Sequence, residues 1–289
     1  MPSHPPPVLT PHETITVFLP TSLVYTAVWA CLFLLYQRAI LPLVFRSFST
    51  TSVWYTSLPI SKQRHYLGRL LFSIHHFLVA YHAIIALTTA TTNPTTALHN
   101  MRRAMYHEVA CDIFDVAVIA LTEKGFTGLH WQGLLLHHIL SILAILTTFT
   151  LHTPLATTAH LALLLDGTGA TDYLFNTLLL PHTPLAHSTP TLLAGTLTTT
   201  LFFTLRLLWF PWLAVHFAYS GWVDGGWWTG LVCGVLMALT YFFNVGMMKT
   251  RWRQYRVMWQ RVSHGSGSKA YKQQQYDERE MDDRSSIVL

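Results

Sequence analysis

The run GLLLHHILSILAIL, residues 133–146, places His137 and His138 side by side in an otherwise apolar stretch, with Ser141 one turn beyond. Upstream, Glu108, Asp112 and Asp115 stand at i, i+4 and i+7, one stripe of a helix. Three carboxylates on one stripe cannot all stay ionised in a low-dielectric setting without cationic partners. Other apolar stretches carry His75, His76 and His82, then Asp166, Asp172 and Asn176, then Arg206, then Asn244. A histidine whose second ring nitrogen is held by a buried carboxylate can serve as a general base, and a buried cation can steady developing negative charge. The catalytic candidates are therefore His137 and His138, with Asp112, Asp115 or Asp172 as the orienting acid. His75, Ser141, Asp166, Asn176 and Arg206 are candidates for holding a substrate. No metal site is expected.

Seventeen histidines in 289 residues give about one adjacent pair by chance, and the chain has two, His75-His76 and His137-His138. A pair gains meaning only from its surroundings. His137 and His138 differ by about 100° around a helix axis. Both face inward only if a cavity is broad; otherwise one lines it and the other bonds a neighbouring helix. The plainer alternative is that these groups join helices by hydrogen bonds, each worth about 1 kcal/mol. Acids on two stretches with a histidine pair on a third exceed what that role needs, which favours a functional cavity. His99, His130, His152, His182 and His187 lie near loops and read as solvated or interfacial.

The elements that must position these groups are membrane spans. Hydrophobic residues make up 51% of the chain and charged ones only 11%, against about a quarter charged in a soluble domain. A span needs about 20 mostly apolar residues, and seven such stretches are read: 15–36, 70–90, 104–122, 131–151, 155–180, 192–216 and 227–248. The expected fold is all-α, a polytopic bundle of about seven membrane helices. The N-terminus has no basic region before its first apolar run, so that run is expected to stay as an anchor. Frequent threonines are tolerated in such helices because the hydroxyl returns to a carbonyl one turn back.

Arg38, Arg46, Lys62, Arg64 and Arg69 follow the first stretch; Lys249, Arg251, Arg253, Arg256 and Arg261 follow the seventh. An odd number of spans puts both clusters on one face, the cytosolic one, with the N-terminus lumenal. Arg102 and Arg103 oppose that assignment and are outnumbered. Trp209, Trp212, Trp222, Trp227 and Trp228 mark span edges as an aromatic belt does. Cys31, Cys111 and Cys233 lie in separate apolar stretches and read as small buried hydrophobes. Asn93-Pro94-Thr95 fails as a glycosylation acceptor because of its proline. Four regions follow: a short lumenal segment 1–14, an anchor with its basic loop 15–54, a six-helix domain 55–250 and a tail 251–289. The tail begins basic and aromatic, suited to anionic lipid, and ends polar and mixed in charge, an expected disordered segment.

The order of features carries a resemblance. LPISKQRHYLGRLLFSIHH enters the second stretch, YHEVACDIFDVAV forms the third and LLLHHILSILA the fourth, followed by LLDGTGATDYLFN and LFFTLRLLWFPW. This resembles the TLC domain family of membrane proteins, which includes the ceramide synthases, over about residues 55–250. Ser73 and His75 match the Ser-x-His of the opening helix; His137 and His138 match the histidine pair; Asp112 or Asp115, Asn176 and Arg206 match later landmarks. Ceramide synthases carry aspartates three apart on the fifth span. Here Asp166 and Asp172 are six apart with Gly167 and Gly169 between them, so the resemblance is closer to the smaller TLC-domain transmembrane proteins. The two glycines are expected to loosen the helix and turn both aspartates inward.

The resemblance implies that six of the seven helices form a barrel around a central cavity. It also implies lipid metabolism or homeostasis in the endoplasmic reticulum or another endomembrane, with membrane lipids as partners and acyl-CoA as a co-substrate. It leaves two readings open, acyl transfer to a lipid acceptor and a non-enzymatic lipid sensor. A third, lesser reading is an electron carrier with haem held between spans by His75, His82, His137 or His160. No other cofactor and no nucleic acid is expected; homo-oligomers are compatible with the pattern.

Overall fold

The computed structural model describes residues 9–40, 60–122, 129–150, 155–178 and 189–264. Thr10 starts the first helical turn as a capping box. Its backbone N–H donates to Glu13 Oε2 at 2.8 Å, and the Glu13 N–H donates to Thr10 Oγ1 at 3.1 Å. A π-helical turn, Thr14–Phe18, leads into α1 (Leu19–Leu35), and a second, Tyr36–Ile40, leaves it. Then come α2 (Ile60–Thr89), α3 (Pro94–Thr122), α4 (Leu129–Thr150), α5 (Leu155–Leu178) and α6 (Thr189–Phe202). A further π-helical segment, Phe203–Trp209, joins α6 to α7 (Phe210–His264). The described residues hold no strand; the fold is all-α.

Among the described residues, three stretches are long and apolar enough to cross a membrane: Thr14–Leu35, Leu71–Thr89 and Thr189–Gln260. Leu135–Thr148 is a shorter apolar helix. The expected span 104–122 is not one of them, because Glu108, Asp112 and Asp115 interrupt it. The outer faces are apolar: Val24 is 62% exposed, Val215 70% and Phe242 71%. Water would penalise that surface, whereas lipid accepts it.

Thr189–Gln260 is two arms rather than one rod. Gly226, at φ 83° and ψ 175°, breaks α7 in a conformation essentially reserved for glycine. The arms then fold back closely. A Cβ on Gly230 would stand 2.7 Å from the Trp222 Cβ and 3.0 Å from its Cα. Trp222, Trp227 and Trp228 flank this turn and are all exposed, as residues at a membrane edge should be.

Small residues bring α2, α3 and α5 together. Ala83 and Ala86 of α2 meet Ala104 and Val109 of α3 and Ala159 of α5, all fully buried. With little side chain between them, backbones approach closely, the usual route to helix association in lipid. Ser73 of α2 adds a buried hydrogen bond, its hydroxyl donating to the Ala170 carbonyl of α5 at 2.8 Å. Trp29 and Phe33 seat α1 outside this group, against Leu71, Ala110 and Phe114. The threonines behave as expected, Thr148 and Thr168 returning their hydroxyls to Ala144 and Leu164 at 2.6 and 2.7 Å.

Candidate functional site

A cavity of about 410 Å³ lies between α2, α3, α4, α5, the Phe203–Trp209 segment and α7. No residue of α1 lines it. By position along α4, α5 and α7, one end is mostly aliphatic, lined by Ala144, Ile145, Leu161, Ala162 and Met237, with Thr148 and Thr158 beyond them. The other is polar and gathers His76, Glu108, His137, Asp166, Arg206 and Asn244.

The two adjacent histidines of α4 separate. His138 turns to α3 and sits between two carboxylates, its Nδ1 2.6 Å from Asp112 Oδ1 and its Nε2 2.8 Å from Asp115 Oδ2. It does not line the cavity. His137 does, its ring stacked flat on Phe243 with centroids 4.0 Å apart. The cavity is therefore the narrow case, with one histidine on it and one joining helices. Asp112 and Asp115 orient His138 rather than His137.

The histidine on the cavity that does have an orienting acid is His76. Its Nδ1 lies 2.6 Å from Asp166 Oδ1. Gly169 packs against that ring: a Cβ there would stand 3.4 Å from three of its carbons, at the edge of ordinary van der Waals contact. Helix α5 runs unbroken through Gly167 and Gly169, so the two glycines do not loosen it. Spacing did not single out His76 for the site, since its partner is 90 residues away. The signal available was a glycine one turn from an aspartate on an apolar helix.

His75, expected to hold substrate, is 1% exposed and lies off the cavity, its ring against the edge of Trp29. Its Nε2 is 3.2 Å from Glu108 Oε2. The α3 stripe is thus divided, Glu108 serving α2 and the two aspartates serving α4. Ser141 and Asp166 line the cavity. The side chains of Asp172 and Asn176 lie outside the described residues.

Arg206 reaches the cavity from the π-helical segment, where one extra residue per turn re-aims a side chain. Its Nε donates to Thr168 Oγ1 at 2.6 Å, one Nη donates to Asn244 Oδ1 at 3.1 Å, and the other donates to the Leu165 carbonyl. The guanidinium ties α5 to α7 and leaves positive charge at the polar end. Of the residues considered for haem, His82 is bonded to Asn100 at 2.9 Å and His160 is exposed on the outer face of α5.

No family model, curated protein or solved structure matches this chain.

Proposed function

We propose that this chain is a multi-pass membrane protein that binds an acyl chain or lipid inside the bilayer. In this reading it has seven spans and belongs with the TLC-like proteins: α1 is an outer anchor, and the other six enclose the cavity. The observation that carries the reading is the division of the cavity into an aliphatic end and a polar one. Its volume falls within the usual range for small-molecule sites, roughly 300–1,000 Å³. An acyl chain suits the aliphatic end, and a carbonyl or headgroup suits His76, His137 and Arg206. The N-terminus is placed in the lumen and the C-terminus in the cytosol, of the endoplasmic reticulum or another endomembrane. On that orientation the polar end lies toward the cytosolic half.

The 2.6 Å contact between His76 and Asp166 favours turnover over passive sensing. In acyl transfer from a thioester such as acyl-CoA, His76 would take the proton of an acceptor hydroxyl or amine. The acceptor then bonds to the carbonyl carbon, the C–S bond breaks, and the proton passes to the leaving thiolate. Arg206 would steady negative charge at the carbonyl oxygen or on the donor.

The test is lipidomics on cells lacking the protein, rescued at matched expression with wild type, His76→Ala or His137→Ala. Loss of a positioned general base costs roughly 10²–10⁴-fold in rate. If wild type restores one acyl-lipid class and His76→Ala does not, the acyl-transfer reading stands. Equal rescue by His76→Ala removes it and leaves lipid binding without turnover.

A further inference from the structure

At the polar end, two imidazoles and a carboxylate converge in a way that lipid binding does not require. His75, His76 and Glu108 each present one ligand atom within 4.8 Å of the others. His75 Nε2 and Glu108 Oε2 are 3.2 Å apart, close to the about 3.3 Å that separates neighbouring ligands around a tetrahedral zinc with bonds of 2.0–2.1 Å. We propose that His75, His76 and Glu108 bind a divalent first-row transition-metal ion, with Zn²⁺ the best fit to the ligand set.

Three observations carry this beyond proximity. His75 Nδ1 is fully buried with no hydrogen bond among the described residues, and His75 Nε2 and Glu108 Oε2, also fully buried, meet each other at 3.2 Å without hydrogen-bond geometry. A metal between Nε2 and Oε2 would satisfy both together. Second, Asp166 holds His76 Nδ1 at 2.6 Å. A carboxylate on the far nitrogen of a metal-bound histidine fixes its ring and leaves Nε2 for the ion. With the ion in place His76 would be a ligand, and the proton of an acyl acceptor would pass to a hydroxide on the ion rather than to His76. Third, the Asp166 carboxyl also faces that of Glu108. Two carboxyls meeting two imidazoles away from water are stabilised by a cation among them.

The donor set selects the ion. Imidazole nitrogens favour Zn²⁺, Fe²⁺, Co²⁺ or Ni²⁺ over Mg²⁺ and Ca²⁺, which prefer oxygen throughout. Two histidines and a glutamate leave a fourth position open. His76 and Glu108 line the cavity whereas His75 lies behind them against Trp29, so the open position faces the cavity. An ion there would bind a ligand's carbonyl or carboxylate oxygen, or a water.

The site is tested on the full chain purified in detergent, by elemental analysis and by Co²⁺ titration of metal-stripped protein. Wild type is expected to hold one Zn²⁺ per chain and to develop the visible absorption of Co²⁺ bound by nitrogen and oxygen at low symmetry. His75→Ala and Glu108→Gln are expected to lose both signals, while the exposed His160→Ala keeps them. Asp166→Asn, which preserves size, is expected to weaken metal binding about 10–100-fold. Folded wild-type protein that takes up neither Zn²⁺ nor Co²⁺ overturns the proposal, as does retention of full affinity by folded Glu108→Gln. Metal bound by a protein that carries no lipid would leave this proposal standing and overturn the lipid reading; the two fail separately.

Discussion

At the scale of the residue, adjacent histidines have opposite surroundings. His138 lies between Asp112 and Asp115 and holds α4 to α3, whereas His137 stacks on Phe243 and faces the cavity. Removing one side of a buried ionic group leaves the other uncompensated, at a cost of about 3–5 kcal/mol. His138→Ala is therefore expected to lower the thermal midpoint in detergent sharply. His137→Ala should barely move it and should instead weaken ligand retention. The reverse pattern would exchange their roles. The angular separation of the pair was legible in the sequence, and so was the need for cations beside the α3 acids. Which acid meets which histidine was not, because spacing along one helix carries no information about a partner on another. That is why the contact between His76 and Asp166 escaped the sequence reading while all four α3 and α4 residues were named.

At the scale of the element, helices were legible wherever apolar runs were long. Less visible were the devices that adjust them. The segment around Arg206 is π-helical, a change of one residue per turn that composition does not announce. The Gly225-Gly226 pair lies between two expected spans, and the structure reverses the chain there, at Gly226. Gly226→Ala is expected to cost about 1–3 kcal/mol because its backbone conformation is strained for any residue with a Cβ. Gly230→Ala should cost a similar amount, about 1–3 kcal/mol, by overpacking against Trp222. Unfolding midpoints in detergent check both, and an unchanged midpoint for either would show that the arms do not meet as described. The capping box at Thr10 gives a pH test. Glu13 lies outside the spans, and the Thr10 backbone N–H donating to its carboxylate holds it below the usual carboxylate range. A lowered folded-state value means that its contribution is complete above the ordinary carboxylate range. It is lost as pH falls through the lowered value. Amide exchange at residues 12–14 should be protected, relative to the unstructured rate at the same pH, at neutral pH and lose that protection only in acid; Thr10→Ala should remove it at both.

At the scale of the molecule, the sequence divides charge from apolar surface, and the structure puts the two on opposite sides of its helices. The apolar faces of α1, α6 and α7 turn outward, while Glu108, Asp112, Asp115, Asp166 and Arg206 turn inward. The membrane character was therefore readable from composition alone. The cavity was only inferable, since it needed several helices to bring their polar residues to one level. The Glu13–Arg102 contact at 3.7 Å puts the first turn and the start of α3 at the same end of the bundle, as two crossings between them require. It also places Arg102, which opposed the charge rule, beside an acid. Whether the cavity holds an acyl chain is read by native mass spectrometry of the purified protein. Wild type is predicted to carry a bound acyl lipid that Ala144→Phe, which fills the aliphatic end, loses while its thermal midpoint stays close to wild type. A wild type without lipid, or a variant that retains it equally, would contradict the account.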